Sequence, residues 1–132
     1  MPNPHRVDAS QPYHFTITGV VKPYVRMTQR GKWVKPDALE YLASRADVAR
    51  QVQYAMAAND WPMLPEHMPL WCSIVVTRSQ ALHKCDLDNI VKAVLDAAQG
   101  IVFRNDCWID AICATRTRGD VDVTTLEVGM QP

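Results

Sequence analysis

Cys85-Asp86-Leu87-Asp88-Asn89-Ile90-Val91-Lys92-Ala93-Val94-Leu95-Asp96 is the stretch from which the rest of the chain can be read. Val91, Val94 and Leu95, continued by Ala98, recur at helical spacing and predict a helix over 86–99 with one buried stripe. Asp86 or Asp88 suits the N-cap, and Gly100 suits the C′ position that ends a helix. Asp88, Lys92 and Asp96 are spaced by four, so they share one further face.

Working outward, residues 70–77 form an apolar, β-rich run and read as a buried strand. Residues 107–115 and 121–128 read as two more strands, joined around Gly119 and expected to pair as an antiparallel hairpin. Upstream, residues 14–21 alternate, with Phe15 and Ile17 on one face and Thr16 and Thr18 on the other. Pro36 opens a helix that runs to about Asn59, its stripe formed by Ala38, Leu42, Val48, Ala49, Val52 and Met56. Pro62, Pro65 and Pro69 mark the connection that follows. The order is β-α-β-α-β-β, an α+β domain with two helices and one mixed sheet. Residues 1–12, polar and holding Pro2 and Pro4, read as a flexible tail, which leaves 13–132 as a single domain.

Composition narrows the class. With 48% hydrophobic residues, the 132-residue chain can bury a core, and its formal charge of zero excludes a protein that coats nucleic acid through overall basicity. The zero conceals a polarity. Residues 1–85 carry ten Lys or Arg against six Asp or Glu, and residues 86–132 carry four against eight. Lys22, Arg26, Arg30, Lys32 and Lys35 fall in one acid-free loop with Tyr24 and Trp33 between them. A basic arm and an acidic cluster in one chain suit a polyanionic partner. Cys72, Cys85, Cys107 and Cys113 form no C-x-x-C pair, so zinc is not expected and the thiols read as reduced. No signal peptide and no run long enough to span a membrane is seen, and a cytoplasmic protein is expected.

Asp86, Asp88 and Asp96, with Asp106 one short loop beyond the helix at the start of a strand, form the acidic constellation; strand ends and helix starts meet at sheet edges, and these carboxylates are expected to converge. Carboxylates brought together repel unless a cation sits between them. Mg²⁺ or Mn²⁺ takes such hard oxygen ligands, activates water and neutralises charge growing on a phosphodiester. A structural reading stands beside this one: first-turn acids favoured by the helix dipole, followed by a solvated Asp88–Lys92–Asp96 ladder. An EF-hand does not fit, since Ile90 and Val91 stand where that loop needs an oxygen ligand and a glycine.

The run Asp86-x-Asp88-Asn89-x-x-Lys92-x-x-x-Asp96-x-x-x-Gly100, followed by Asn105-Asp106 and the expected β-hairpin, resembles the RusA family of Holliday junction resolvases. The likeness is closest over 84–128 and extends more loosely to the first strand, the Lys22-Pro23-x-x-Arg26 loop and the first helix. It implies a small, homodimeric, Mg²⁺-dependent endonuclease of bacteria or their phages. Asp86, Asp88 and Asp106 match the family's metal-binding acids, Lys92 its catalytic lysine, and Asp96 a recurrent acid that is a further candidate ligand. Where the family often has Asp-Asp, this chain has Asn105-Asp106.

On that reading, Lys22, Arg26, Arg30, Lys32, Lys35, Lys84, Arg116 and Arg118 are candidate phosphate contacts. His83 beside the acids is a candidate proton carrier, and Trp33 a candidate for stacking on an unpaired base. The expected activity is symmetric hydrolysis of a four-way DNA junction by a homodimer with one acidic site per chain. The rivals are a junction-binding architectural protein and a metal-dependent nucleotide phosphohydrolase.

Overall fold

The computed structural model describes residues 11–26, 36–80 and 85–132. Arg30, Lys32, Lys35, Lys84, His83, Trp33 and most of the expected tail lie outside the described residues. The elements are β1 (Tyr13–Thr18), α1 (Pro36–Ala58), β2 (Leu70–Arg78), α2 (Leu87–Ala98), a 3₁₀ turn (Asp106–Trp108), β3 (Ile109–Arg118) and β4 (Val123–Met130). This is the α+β architecture that the patterning predicts, with one mixed four-stranded sheet among the described residues.

The strand order is β1-β4-β2-β3. β4 runs antiparallel to both β1 and β2, and β2 runs parallel to β3. The expected β3–β4 hairpin is therefore corrected: β2 lies between the two strands and pairs with both. The reason is burial. Every second residue of β2 (Leu70, Cys72, Ile74, Val76, Arg78) is buried, and a strand with so much to bury takes a central position. β3 is exposed at eight of its ten positions and takes the edge. Cys107 and Trp108, which the apolar pattern assigned to this strand, turn instead with Asp106, and Asn105 accepts a hydrogen bond from the Cys107 N–H at 2.9 Å.

Two helices cover one face of the sheet. α1 contributes Tyr41, Val48, Val52 and Met56, and α2 contributes Ile90, Val94, Leu95 and Ala98, against Phe15, Ile17, Ile74, Val76, Leu126 and Val128. Burying one such side chain is worth about 1.5–3 kcal/mol, so this single layer is what holds the domain together. Trp61 closes one end of the core, stacked on Tyr13 with ring centroids 4.5 Å apart. Gly100, with φ +84°, ends α2 at the C′ position.

Candidate functional site

α2 is buried almost all round. Its polar stripe is Asp88, Lys92 and the half-buried Asp96, as the spacing of four predicts. Asp86 occupies the N-cap position in an extended conformation, but its carboxylate makes no capping hydrogen bond. A capping role thus leaves that side chain unexplained. The salt-bridge ladder does not form either. Among the described residues, no ion pair within 4 Å joins Lys92 to Asp88 or Asp96. Lys92 instead sets its Nζ 4.0 Å from the centre of the Tyr24 ring. Tyr24 is held there by its N–H, which donates to the Asn89 carbonyl at 3.0 Å, and by edge-on packing against Tyr41.

Tyr41 explains Asp96. Its hydroxyl donates to Asp96 Oδ2 at 2.9 Å. Burial, and then the hydrogen bond and charge of Asp96, push the Tyr41 phenol up to about 12. Eight residues beyond Asp88, Asp96 lies about 12 Å along the helix from it, too far to share one ion. Its visible task is to satisfy a buried phenol.

The carboxylates do not converge within one chain. β2, α2 and β3 form a crossover: α2 starts where β2 ends, and β3 starts where α2 ends. Asp86 is at the start of α2, whereas the Asp106 N–H takes a hydrogen bond to Oε1 of Gln99, the residue that caps its far end. Twelve helical residues separate the two ends by about 18 Å. In keeping with this, among the described residues no three of His, Cys, Asp and Glu gather closely enough to hold a metal ion. The expectation that strand and helix ends would bring Asp106 to Asp86 and Asp88 thus fails for a single protomer, because a parallel crossover carries the chain the length of the domain before the next strand begins.

Cationic side chains gather at the Asp86 end. Arg116 donates from Nη1 to the Cys85 carbonyl at 2.7 Å, and Arg118 is two residues further along the same exposed strand. Lys22 and Arg26, both exposed, flank Tyr24 where it crosses the first turn of α2. Arg78, which sequence reasoning missed, is buried at the end of β2 with 4% exposure. Its signal was phase: it continues the inward series Leu70, Cys72, Ile74, Val76.

The chain matches the family of endodeoxyribonuclease RusA over residues 14–129, from β1 to the end of β4. No curated protein matches it. The match takes in Asp86, Asp88, Lys92 and Asp106 together with the four-stranded sheet, and the chain belongs to the RusA family of endodeoxyribonucleases, the Holliday junction resolvases.

Proposed function

We propose that the chain resolves four-way DNA junctions as a C2 homodimer whose two active sites are each shared between protomers. The separation of Asp106 from Asp86 and Asp88 along α2 carries this reading. Each chain supplies Asp86 and Asp88 at one end of the helix and Asp106 at the other. A two-fold axis across the middle of α2 would set the Asp106 of one protomer beside the Asp86 and Asp88 of its partner.

The edge of the sheet supports such an axis. Among the described residues β3 has a neighbour on one side only, and its middle, Ala111 to Thr115, carries no charge. Ile112 is 52% exposed there. Natural sheets usually guard an open edge with a charge or a proline, and none stands in that stretch. Antiparallel pairing of two β3 strands about Cys113 sets Asp110 opposite Arg116 at both ends, and it places the two Ile112 side chains next to the axis.

The donors fit a hard divalent ion: two exposed carboxylates from one chain and a third from its partner, with water and a substrate phosphate completing the shell. Mg²⁺ bound by these residues would supply an activated water and offset charge on the phosphodiester. Lys92, one turn from Asp88 and steadied by Tyr24, adds a fixed positive charge facing the developing negative charge. Arg116, Arg118, Lys22 and Arg26 hold the flanking backbone by its phosphates. Two sites related by the two-fold axis match the two symmetric cuts that resolution needs.

Subunit mixing tests this reading. Asp88→Asn and Asp106→Asn dimers, each inactive alone, are expected to recover Mg²⁺-dependent nicking of a synthetic four-way junction once mixed. In the heterodimer one shared site regains all its acids. If each protomer carried a complete site, every site in the mixture would still lack one acid. Persistent inactivity of a mixture shown to have exchanged subunits refutes the shared site.

A further inference from the structure

A cleft of about 460 Å³ opens between the segment 20–25, the first turn of α1 and the end of β2, lined by Val21, Lys22, Asp37, Glu40, Arg78 and Cys85 among others. Arg78 is the unusual member. Its guanidinium carries five N–H donors, and the one hydrogen bond it makes among the described residues is from Nη2 to the Val21 carbonyl at 2.7 Å. Its Nε is buried and has no partner. A buried cation without an anion is costly, and the fold retains this one.

Its charge is offset only at a distance, with no direct ion pair among the described residues. No carboxylate among the described residues lies within 4 Å of Arg78. The charged or ionisable groups near enough to act on it are Cys85, Asp122 and Arg116. Asp122 is already engaged, accepting from the Ser79 N–H at 2.9 Å and from its hydroxyl at 3.1 Å. Asp37 and Glu40 are exposed at the mouth of the cleft, opposite the exposed Lys22. With two cations and two carboxylates around it, the cleft suits a singly charged phosphodiester better than a doubly charged free phosphate. Cys85 lines the cleft and directly precedes Asp86, so its occupant lies next to the candidate metal ligands.

We propose that this cleft is a subsite for one phosphate of the DNA backbone, with Arg78 as its buried anchor and Lys22 at its mouth. The proposal rests on the nuclease reading above and extends its DNA contacts to a residue inside the fold. A fork held at one end by the Val21 carbonyl presents its remaining donors in a fixed direction, which suits two oxygens of one phosphate. Lys22 adds a mobile charge without changing that geometry.

The experiment is DNA binding in EDTA, where no cleavage occurs, measured across a salt series for wild type, Arg78→Met, Arg78→Lys and Lys22→Ala. Arg78→Met and Lys22→Ala are each expected to lower the slope of log affinity against log salt by about 0.9. Arg78→Lys, which keeps the charge, is expected to retain most of the slope. The DNA-free Arg78→Met protein is expected to melt no lower than wild type, because the substitution removes an unpaired buried charge. Should Arg78→Met fail to fold, Arg78→Gln takes its place, with the same loss of slope expected. An unchanged slope in Arg78→Met overturns the subsite. So does a lower melting temperature of Arg78→Met with undiminished DNA binding, which would confine Arg78 to holding Val21. Inorganic phosphate that raises the melting temperature of wild type but not of Arg78→Met, with equal DNA slopes, would make the cleft a site for free phosphate and likewise overturn the DNA assignment. None of these readings depends on cleavage. The nuclease reading fails separately, if wild type does not cut a junction in Mg²⁺.

Discussion

The two ends of α2 are built differently. At its start, Asp86 and Asp88 stand exposed among Lys22, Arg26, Arg116 and Arg118, with Lys92 one turn away on the ring of Tyr24. At its finish, Asp106 sits on a short 3₁₀ turn, and the nearby Arg104 is spent on Glu66 at 2.7 Å. Among the described residues, one end thus sets two exposed carboxylates near Lys22, Arg26, Arg116 and Arg118, and the other sets Asp106 near an Arg104 already paired with Glu66. In the proposed dimer, a two-fold axis across α2 would let Asp106 serve chemistry at an end other than its own.

The largest effects break this contrast outright. Asp88→Asn and Asp106→Asn are each expected to reduce junction cleavage by a hundredfold or more, since each removes a charged oxygen from a metal site worth several kcal/mol to the transition state. Equal losses from the two ends of one helix are what a shared site requires. Ile112→Lys tests the axis itself: placed at the uncharged middle of the β3 edge, two like charges would face each other across it. The expected result is a folded monomer by size-exclusion with light scattering, with junction cleavage lost. A dimer with full activity would move the interface elsewhere.

A smaller effect sharpens the contrast. Without metal, the acids that line the DNA path repel phosphate; at an effective dielectric of about 20, one pair at 4 Å costs roughly 4 kcal/mol before screening. In EDTA, Asp88→Asn is therefore expected to bind a four-way junction at least as tightly as wild type, by a few-fold in an anisotropy titration. Asp106→Asn is expected to do the same only if Asp106 of the partner subunit reaches that path. Tighter binding in Asp88→Asn alone would leave Asp106 at its own end of the helix and refute the shared site.

How much of this was legible in the sequence follows from what is local. The helix over 86–99, its Gly100 stop and the Asp88–Lys92–Asp96 face depend on a period of 3.6 within a dozen residues, and they stand in the structure as read. Strand order is not local. A turn around Gly119 between two β-rich runs reads as a hairpin, but the competition for the central place is settled by how much each strand must bury, and β2 outbids β3. The placement of Asp106 was misread for a related reason. Ten residues after Asp96 looks close in the chain, yet the crossover brings the residue out at the opposite end from Asp86. Arg78 was hidden by its neighbours: a charged residue closing an apolar strand looks like the strand's end, and only the burial phase shows that it points inward.

The smallest expected effect concerns the middle of the helix, where Asp96 belongs to the fold rather than to either end. Tyr41→Phe deletes the hydroxyl that donates to Asp96 at 2.9 Å and leaves a half-buried carboxylate without that donor. A stability loss of about 1–2 kcal/mol is expected by urea unfolding near pH 8, with DNA cleavage under folded conditions nearly unchanged. The pH dependence identifies the cause. The Tyr41 phenol ionises at about 12 in the folded chain against 10.0 ordinarily, because it is buried and faces the Asp96 carboxylate. A raised folded value means that the native state holds its proton more tightly than the unfolded chain. The corresponding stability is fully present below pH 10 and is lost as the pH rises toward 12. Cys72, pushed by burial from 9.0 to about 11, adds a loss of the same sign that begins one unit lower. Wild type is thus expected to lose stability steadily above pH 9. Tyr41→Phe starts lower, keeps the Cys72 component and shows a shallower decline between pH 10 and 12, so the two curves draw together there. Parallel curves through that range would mean that the Tyr41 hydroxyl contributes nothing that ionisation can remove, and Asp96 would return to the pool of acids available to a metal.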